Sequence, residues 1–205
     1  SDPGCYGMAA LVAPGMVARH THADGHTILP REPKAAADLV EEIIDFVLEP
    51  LTGMARSAVR SLQRKFVSEC IEPMLLDKAF DLLNEHRIKG DTLLMMTATH
   101  AVVAEPVAAR LGFEHWLGSG VGLHDDRYTG KTEGSPCFQQ GKVDHLADWR
   151  SRHPDIADPD DCWFYSDSYN DLPLLSAVGH PVAVDPDDTL RAHAEANHWP
   201  IMSLR

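Results

Sequence analysis

The stretch C-W-F-Y-S-D-S-Y-N-D-L-P-L-L, residues 162–175, decides how the rest of the chain is read. Trp163, Phe164 and Tyr165 form a short apolar run of the kind that makes a buried strand, and it stops at Ser166-Asp167. Asp171 follows four residues after Asp167, and Leu172-Pro173-Leu174-Leu175 then opens a helical pattern. Two carboxylates spaced this way at a strand end have two readings. They can face one crevice and take a hard cation such as Mg²⁺, which binds one or two carboxylates together with waters and a phosphate. Alternatively, Ser166 or Asp167 caps the helix and Asp171 complements its dipole.

Working outward from this stretch, strands and helices alternate. Upstream, D-T-L-L-M-M-T-A-T (91–99) reads as a buried strand and A-E-P-V-A-A-R-L-G-F (104–113) as a helix with proline in its first turn. H-W-L-G-S-G-V-G-L (115–123) is strand-like, His124–Asp126 reads as loop, and D-R-Y-T-G-K-T-E-G (126–134) reads as a turn and short hairpin. A helix over 141–153 leads into the opening stretch. Downstream come a strand at 181–184, a helix over 188–199 and a strand at 200–204. This order predicts an α/β fold: a Rossmann-like, mostly parallel sheet with helices on both faces. In such sheets chemistry sits beyond the carboxyl ends of the strands. The positions to weigh are therefore Thr97-Ala98-Thr99-His100, Ser166-Asp167 and Asp185-Pro186-Asp187-Asp188-Thr189.

The first third of the chain is different. Residues 1–33 are irregular and rich in Gly, Pro and His. Leu39, Val40, Ile43, Ile44, Val47 and Leu48 then recur at helical spacing. Val59, Leu62, Phe66 and Cys70 form a second stripe, and a third helix runs from Leu75 to His86, stopped by Gly90. A boundary near Glu72-Pro73 divides a helical module, 1–72, from an α/β core, 73–205.

The 205 residues are 44% hydrophobic, enough for one domain or a domain with a smaller appendage. Without an apolar run of about 18 residues, no membrane span is expected. The start, S-D-P-G-C-Y-G-M, does not begin with Met and lacks the basic flank of a secretory signal. A net charge of −13 argues against general affinity for nucleic acid or anionic membranes. It leaves room for a small phosphorylated partner, which is held by local donors and a cation. Cys5, Cys70, Cys137 and Cys162 are far apart with no C-x-x-C pattern, and a reducing cytoplasm is the expected setting.

Other residues qualify as site candidates. The Thr97 hydroxyl, at a strand end followed by small residues, can bind a phosphate oxygen alongside the N–H groups of Ala98 and Thr99, or be a turn threonine. Lys142, after Gly141 at a helix start, opposes the helix dipole. That conflict suggests a task such as pairing with phosphate or carboxylate, against the alternative of a solvated lysine. His20, His22 and His26 have metal-ligand spacing, although no clear strand aims them.

Taken in order, Thr97, Lys142 and Y-S-D-S-Y-N-D-L-P-L-L (165–175) resemble motifs two, three and four of the haloacid dehalogenase superfamily. The span from about Ile71 to Arg205 is similar to the subgroup that contains phosphoserine phosphatase. R-Y-T-G, G-S-P-C-F-Q-Q-G-K and V-A-V-D-P-D-D-T-L-R-A-H-A-E-A-N-H-W-P add to the likeness. The resemblance implies a Mg²⁺-dependent phosphomonoester hydrolase working through an aspartyl-phosphate, with residues 1–72 as its helical cap. Asp167 would be a Mg²⁺ ligand, and Asp171 would bind the metal or orient its water. Asn170 would lie near the phosphate, Thr97 would bind the phosphoryl group, and Lys142 would balance its charge. Phosphoserine, histidinol phosphate and sugar or lipid-linked phosphates are all open as substrates.

There are departures from the pattern. Family members begin with a strand ending in D-x-D-x-T, whose first Asp attacks phosphorus. That motif is expected upstream of Ser1, so this chain alone is expected to be inactive and its sheet to lack the central strand. The strands at 92–97 and 163–167 are then expected side by side. Asp185-x-Asp187-x-Thr189 matches the motif literally but follows motif four. His100 stands where close relatives tend to have Asn. A non-catalytic phosphate- or metal-binding module on the same scaffold is the alternative function, and a hydrolase centred on His20, His22 and His26 a third.

Overall fold

The computed structural model describes residues 8–11, 41–42, 44–156 and 158–205. A seven-stranded sheet runs in the order β4-β3-β2-β1-β5-β6-β7. The strands are β1 (Met8–Leu11), β2 (Thr92–His100), β3 (His115–His124), β4 (Arg127–Glu133), β5 (Trp163–Ser166), β6 (His180–Val184) and β7 (Ile201–Met202). All neighbours are parallel except β3 and β4, an antiparallel hairpin. The principal helices are α1 (Arg56–Phe66), α2 (Asp77–Lys89), α3 (Ala101–Leu111), α4 (Gln140–Ser151), α5 (Leu172–Leu175) and α6 (Asp188–Ala196).

The centre of the sheet corrects the sequence reading. Met8–Leu11 pairs with Thr92–Met95 on one side, and Ala9–Leu11 pairs with Trp163–Tyr165 on the other. The central position is therefore filled, and residues 8–11 belong to the core sheet, not to a helical module. β2 and β5 are not side by side, because β1 lies between them. Met-Ala-Ala-Leu is too short to carry a periodicity of its own, which is why the pattern did not reveal it. His20, His22 and His26 lie outside the described residues.

Side-chain alternation builds the two faces. Leu93, Met95, Tyr165, Val182 and Val184 pack on one face with Leu82, Leu83 and Val107. Leu94, Met96, Phe164 and Ala183 pack on the other with Leu146, Trp149, Leu174 and Leu190. A parallel sheet covered on both faces needs apolar residues at every position, which explains the uninterrupted Leu-Leu-Met-Met run. A third cluster joins Ile44, Leu48 and Val59 to Val102, Val121 and Tyr128, so the helical segment packs directly on the core.

Several elements differ in extent from their expected bounds. β2 continues three residues past Thr97, and its register with β3 shifts between Met96 and His100, as a bulge does. Helix α3 starts at Ala101, which puts Pro106 inside it instead of in its first turn. Proline has no N–H to give the carbonyl four residues back, that of Val102. The Gln63 side chain fills the vacancy, donating to the Val102 carbonyl at 2.7 Å from a buried position. This exchange also ties α1 to the core. The hairpin turn falls at Asp125 and Asp126, with φ of 49° and 58°. Positive φ at both central residues is what a two-residue hairpin turn demands.

The helical segment is strapped to that hairpin. Arg56 N–H donates to the Asp126 carbonyl, Gly53 N–H to Tyr128, and Tyr128 N–H to Met54. Asp45 accepts from the Thr132 N–H and hydroxyl, both at 2.6 Å, and from Lys131 at 3.0 Å. The Thr132 hydrogen bonds, chiefly, hold the Asp45 carboxyl below its ordinary range.

Candidate functional site

The parallel strands β1, β2 and β5 deliver their carboxyl ends to one edge, where Lys142, Asp167 and Asp171 lie within electrostatic reach of one another. Lys142, in the first turn of α4, is buried, and its Nζ lies 2.5 Å from Oδ1 of Asp171. Gly141 makes this approach possible: a Cβ there would sit 2.2 Å from the Pro136 carbonyl oxygen. The other oxygen of Asp171, Oδ2, accepts from the Ser166 hydroxyl at 2.7 Å. Asp171 is thus buried with both oxygens engaged. A lysine at a helix start is locally unfavourable, and the paired carboxylate supplies the compensation.

Asp167 is in a different state. Burial pushes its carboxyl above the ordinary range. Its own main-chain N–H pulls the other way. Asp171 and Asp187 push it further up, and Lys142 opposes them. Asp167 is therefore within electrostatic reach of Lys142 and Asp171, with more negative than positive charge around it. Asp167 does not cap the following turn. Ser168 does, its hydroxyl accepting from the Asn170 N–H at 3.3 Å.

Thr97 is linked to the Lys142–Asp171 pair through Cys137. The buried Cys137 thiol takes a hydrogen bond from the Thr97 main chain and feels both Lys142 and Asp171. Its pKa is pushed up to about 12, mainly by burial, so it stays a neutral thiol at physiological pH. The Thr97 hydroxyl accepts from the Thr99 N–H at 3.1 Å, and the Ala98 carbonyl accepts from the Ser119 hydroxyl at 2.9 Å. The bulged segment 97–99 therefore holds itself in shape, and the Thr99 N–H already has a partner within the segment. At its end His100 is buried, with Nδ1 lacking a hydrogen-bond partner among the described residues. Burial lowers its pKa, so the ring is neutral.

Two contributors were given no role at the site by the sequence reading. Gln139 donates from Nε2 to Asn170 Oδ1 at 3.2 Å, from a backbone at φ 47° and ψ −120°. Such a conformation is costly for a residue with a side chain, by about 1–3 kcal/mol, and it sits one turn before Lys142. Asp187, one of the acidic residues of the misplaced D-x-D-x-T pattern, holds the loop after β5. A polar residue just after a Gly-x-x-Cys-Phe turn was the available signal for Gln139, and Asp three residues before a buried Leu was the signal for Asp187.

A hard cation suits this donor set in part. Asp167 offers a carboxylate in a locally negative setting, and Asp171, saturated by Lys142 and Ser166, is placed to act from behind it. Among the described residues, no group of three or more His, Cys, Asp or Glu is arranged to hold a metal. The remaining positions of an octahedral ion would fall to water, main-chain oxygen and substrate phosphate. Among the described residues, no helix is long and apolar enough to cross a membrane.

Comparison with known proteins gives a consistent result. Residues 5–176 match the family model described as haloacid dehalogenase-like hydrolase. The chain is 32% identical over 168 residues to a histidinol-phosphatase of Neisseria meningitidis serogroup C, covering 81% of this chain and 76% of that protein. It is 31% identical over 155 residues to phosphoserine phosphatase SerB1 of Mycobacterium tuberculosis, covering 76% of this chain and 50% of that one. The chain thus spans about half the length of the mycobacterial relatives it matches. A crystal structure of a protein of unknown function from Bordetella pertussis Tohama I superposes with a TM-score of 0.75. The two are 34% identical, and the match covers 80% of this chain and 74% of that one.

Proposed function

Because the chain belongs to the haloacid dehalogenase-like hydrolase family, we propose that it is the α/β core and helical cap of a Mg²⁺-dependent phosphatase acting on a small phosphorylated metabolite. The observation that carries this reading is the buried Lys142–Asp171 pair beside the under-compensated carboxylate of Asp167. The full reaction is displacement at phosphorus by an aspartate to give an aspartyl-phosphate, then its hydrolysis.

In this reading Asp167 would hold Mg²⁺, and Asp171 fixes Lys142 beside it. When bound, Mg²⁺ supplies charge neutralisation at the phosphoryl oxygens. Lys142 adds a second positive charge at the same edge. The Thr97 hydroxyl and the Ala98–Thr99 segment contact the phosphoryl group, and Gln139 turns Asn170 toward it. The segments ahead of Glu72, other than β1, act as the cap. Histidinol phosphate and phosphoserine, named for two relatives, are the first substrates to assay. Cys70 and Cys137 are free thiols, and a reducing cytoplasm is the setting we propose.

The attacking carboxylate is the part this reading leaves unassigned. β1 ends at Leu11, and the sequence continues Val12-Ala13-Pro14-Gly15, with no acidic residue before Asp24. That sequence favours a second reading, a phosphate- or metal-binding module without turnover. Phosphate release from an aryl phosphate with Mg²⁺ tests both, comparing this chain with a version extended upstream through a D-x-D-x-T strand. We expect no turnover by the 205-residue chain and turnover by the extended one. Phosphate binding without turnover by either supports the module. Equal Mg²⁺-dependent turnover by both places the nucleophile within residues 1–205, and Asp185 is then the first residue to replace.

A further inference from the structure

Asp187 belongs to a loop that the motif comparison leaves without a task, yet it is hydrogen-bonded twice to the segment that follows β5. Its main-chain N–H donates to the Asp167 carbonyl at 2.9 Å. Its Oδ2 accepts from the Tyr169 N–H at 2.7 Å. Its Oδ1 accepts from the Leu190 N–H at 2.8 Å, capping α6. One residue thus grips the chain on both sides of Ser168 and anchors that grip to a helix N-terminus. The residue it grips first, Asp167, is the one whose direction matters most. A 3₁₀ turn of three residues, Tyr169–Asp171, follows at once and has little stiffness of its own.

We propose that Asp187 is a positioning residue, a clamp that sets the main chain of 167–169 so that the Asp167 carboxylate points into the crevice. This rests on the reading of Asp167 as the cation-binding residue. Its chemistry is simple. A carboxylate has two oxygens and can bridge two N–H donors on separate segments, whereas most cap residues offer one. The α6 cap needs only one acceptor, which serine supplies as well. The second acceptor is used for the Asp167 loop.

That difference gives the test. Mg²⁺ alone is titrated calorimetrically into the wild-type chain and into Asp167→Asn, Asp187→Ala, Asp187→Ser and Asp188→Asn, and each is also melted without metal. Asp187→Ser keeps the α6 cap and loses the Tyr169 bond. Asp188→Asn removes one charge from the same helix turn without touching the clamp. We expect Asp187→Ser to melt close to wild type, well above Asp187→Ala, yet to bind Mg²⁺ about tenfold more weakly. Asp188→Asn should bind within twofold of wild type. Asp167→Asn should lose binding altogether. If Asp187→Ser binds as wild type does while Asp167→Asn does not bind, the clamp is refuted and Asp187 is a helix cap. Equal weakening in Asp187→Ser and Asp188→Asn reduces the effect to charge and refutes it as well. If the wild-type chain takes no Mg²⁺, the metal reading of Asp167 falls, and the clamp falls with it.

Discussion

Two buried polar networks flank β5, and they differ in what they leave over. On one face His86 bridges Asp91 at 2.6 Å and Tyr165 at 2.7 Å. Burial pushes the Tyr165 hydroxyl up, so it stays protonated and donates to Nε2, which leaves the Nδ1–H for Asp91. His86, Tyr165 and the Asp91 side chain are nearly inaccessible, and each has its partner. At the carboxyl edge, the Lys142–Asp171–Ser166 network is equally buried and equally paired, but Asp167 stands beside it with its carboxyl raised. The first network closes on itself and reads as structure. The second leaves one carboxylate under-compensated, and such imbalance is where a cation finds its complement. Burial of charge alone does not mark a site; the unbalanced remainder does.

The largest effect expected from breaking this comparison comes at Lys142. Lys142→Met leaves the Asp171 carboxylate buried with only Ser166, and removing one member of a buried ion pair costs about 3–5 kcal/mol. For a chain of this size that is roughly 10 °C in melting temperature. Phosphate binding should fall with it, because Lys142 is the positive charge at that edge. Thermal denaturation and calorimetric titration read both. A variant that melts as wild type does would mean the pair contributes nothing to the fold.

His86→Leu is the counterpart. It strands the Tyr165 hydroxyl and part of Asp91, at a cost of about 1–3 kcal/mol, the usual penalty for a buried group left unsatisfied. Phosphate affinity of the folded variant should equal that of wild type. A loss of affinity comparable to that of Lys142→Met would show the two networks to be coupled through β5, and the distinction between them would go.

How much of this was legible in the sequence follows from what each feature depends on. The strands β2, β5 and β6 were visible because a doubly covered sheet demands continuous apolar runs, as in Leu93–Met96 and Trp163–Tyr165. Lys142, Thr97, Asp167 and Asp171 could be weighed as candidates because they stand at strand ends and helix starts, and Asn170 entered only through the family resemblance. β1 was not, since four small and apolar residues carry no period, and its place depends on partners more than 80 residues away. The internal position of Pro106 was hidden because the residue that satisfies Val102, Gln63, lies on another helix. Asp187 was set aside as a loop carboxylate because a clamp between residues 18 apart leaves no local pattern.

The smallest effect is the one that tests the imbalance itself. Asp167 has a carboxyl raised by burial and by its acidic neighbours. Between its ordinary value, near 3.8, and the raised folded value, the native state binds more protons than the unfolded state. Stability contributed through this group therefore falls as pH rises through that window, and above it ionised Asp167 weighs against folding. Asn cannot ionise. Without metal at pH 7, Asp167→Asn should melt slightly higher than wild type, by roughly 1–2 °C, within the range of about 0.5 kcal/mol ordinary for single surface changes. The difference should vanish on acidification below the ordinary carboxylate value, where wild-type Asp167 is protonated in both states. Saturating Mg²⁺ should reverse the order, since a cation that binds only the folded wild type raises its stability alone. Melting curves at neutral and acid pH, with and without Mg²⁺, give the four values needed. A lower melting temperature for the variant at pH 7 without metal would show that Asp167 is already well partnered by the fold, and the contrast between the two networks would be lost.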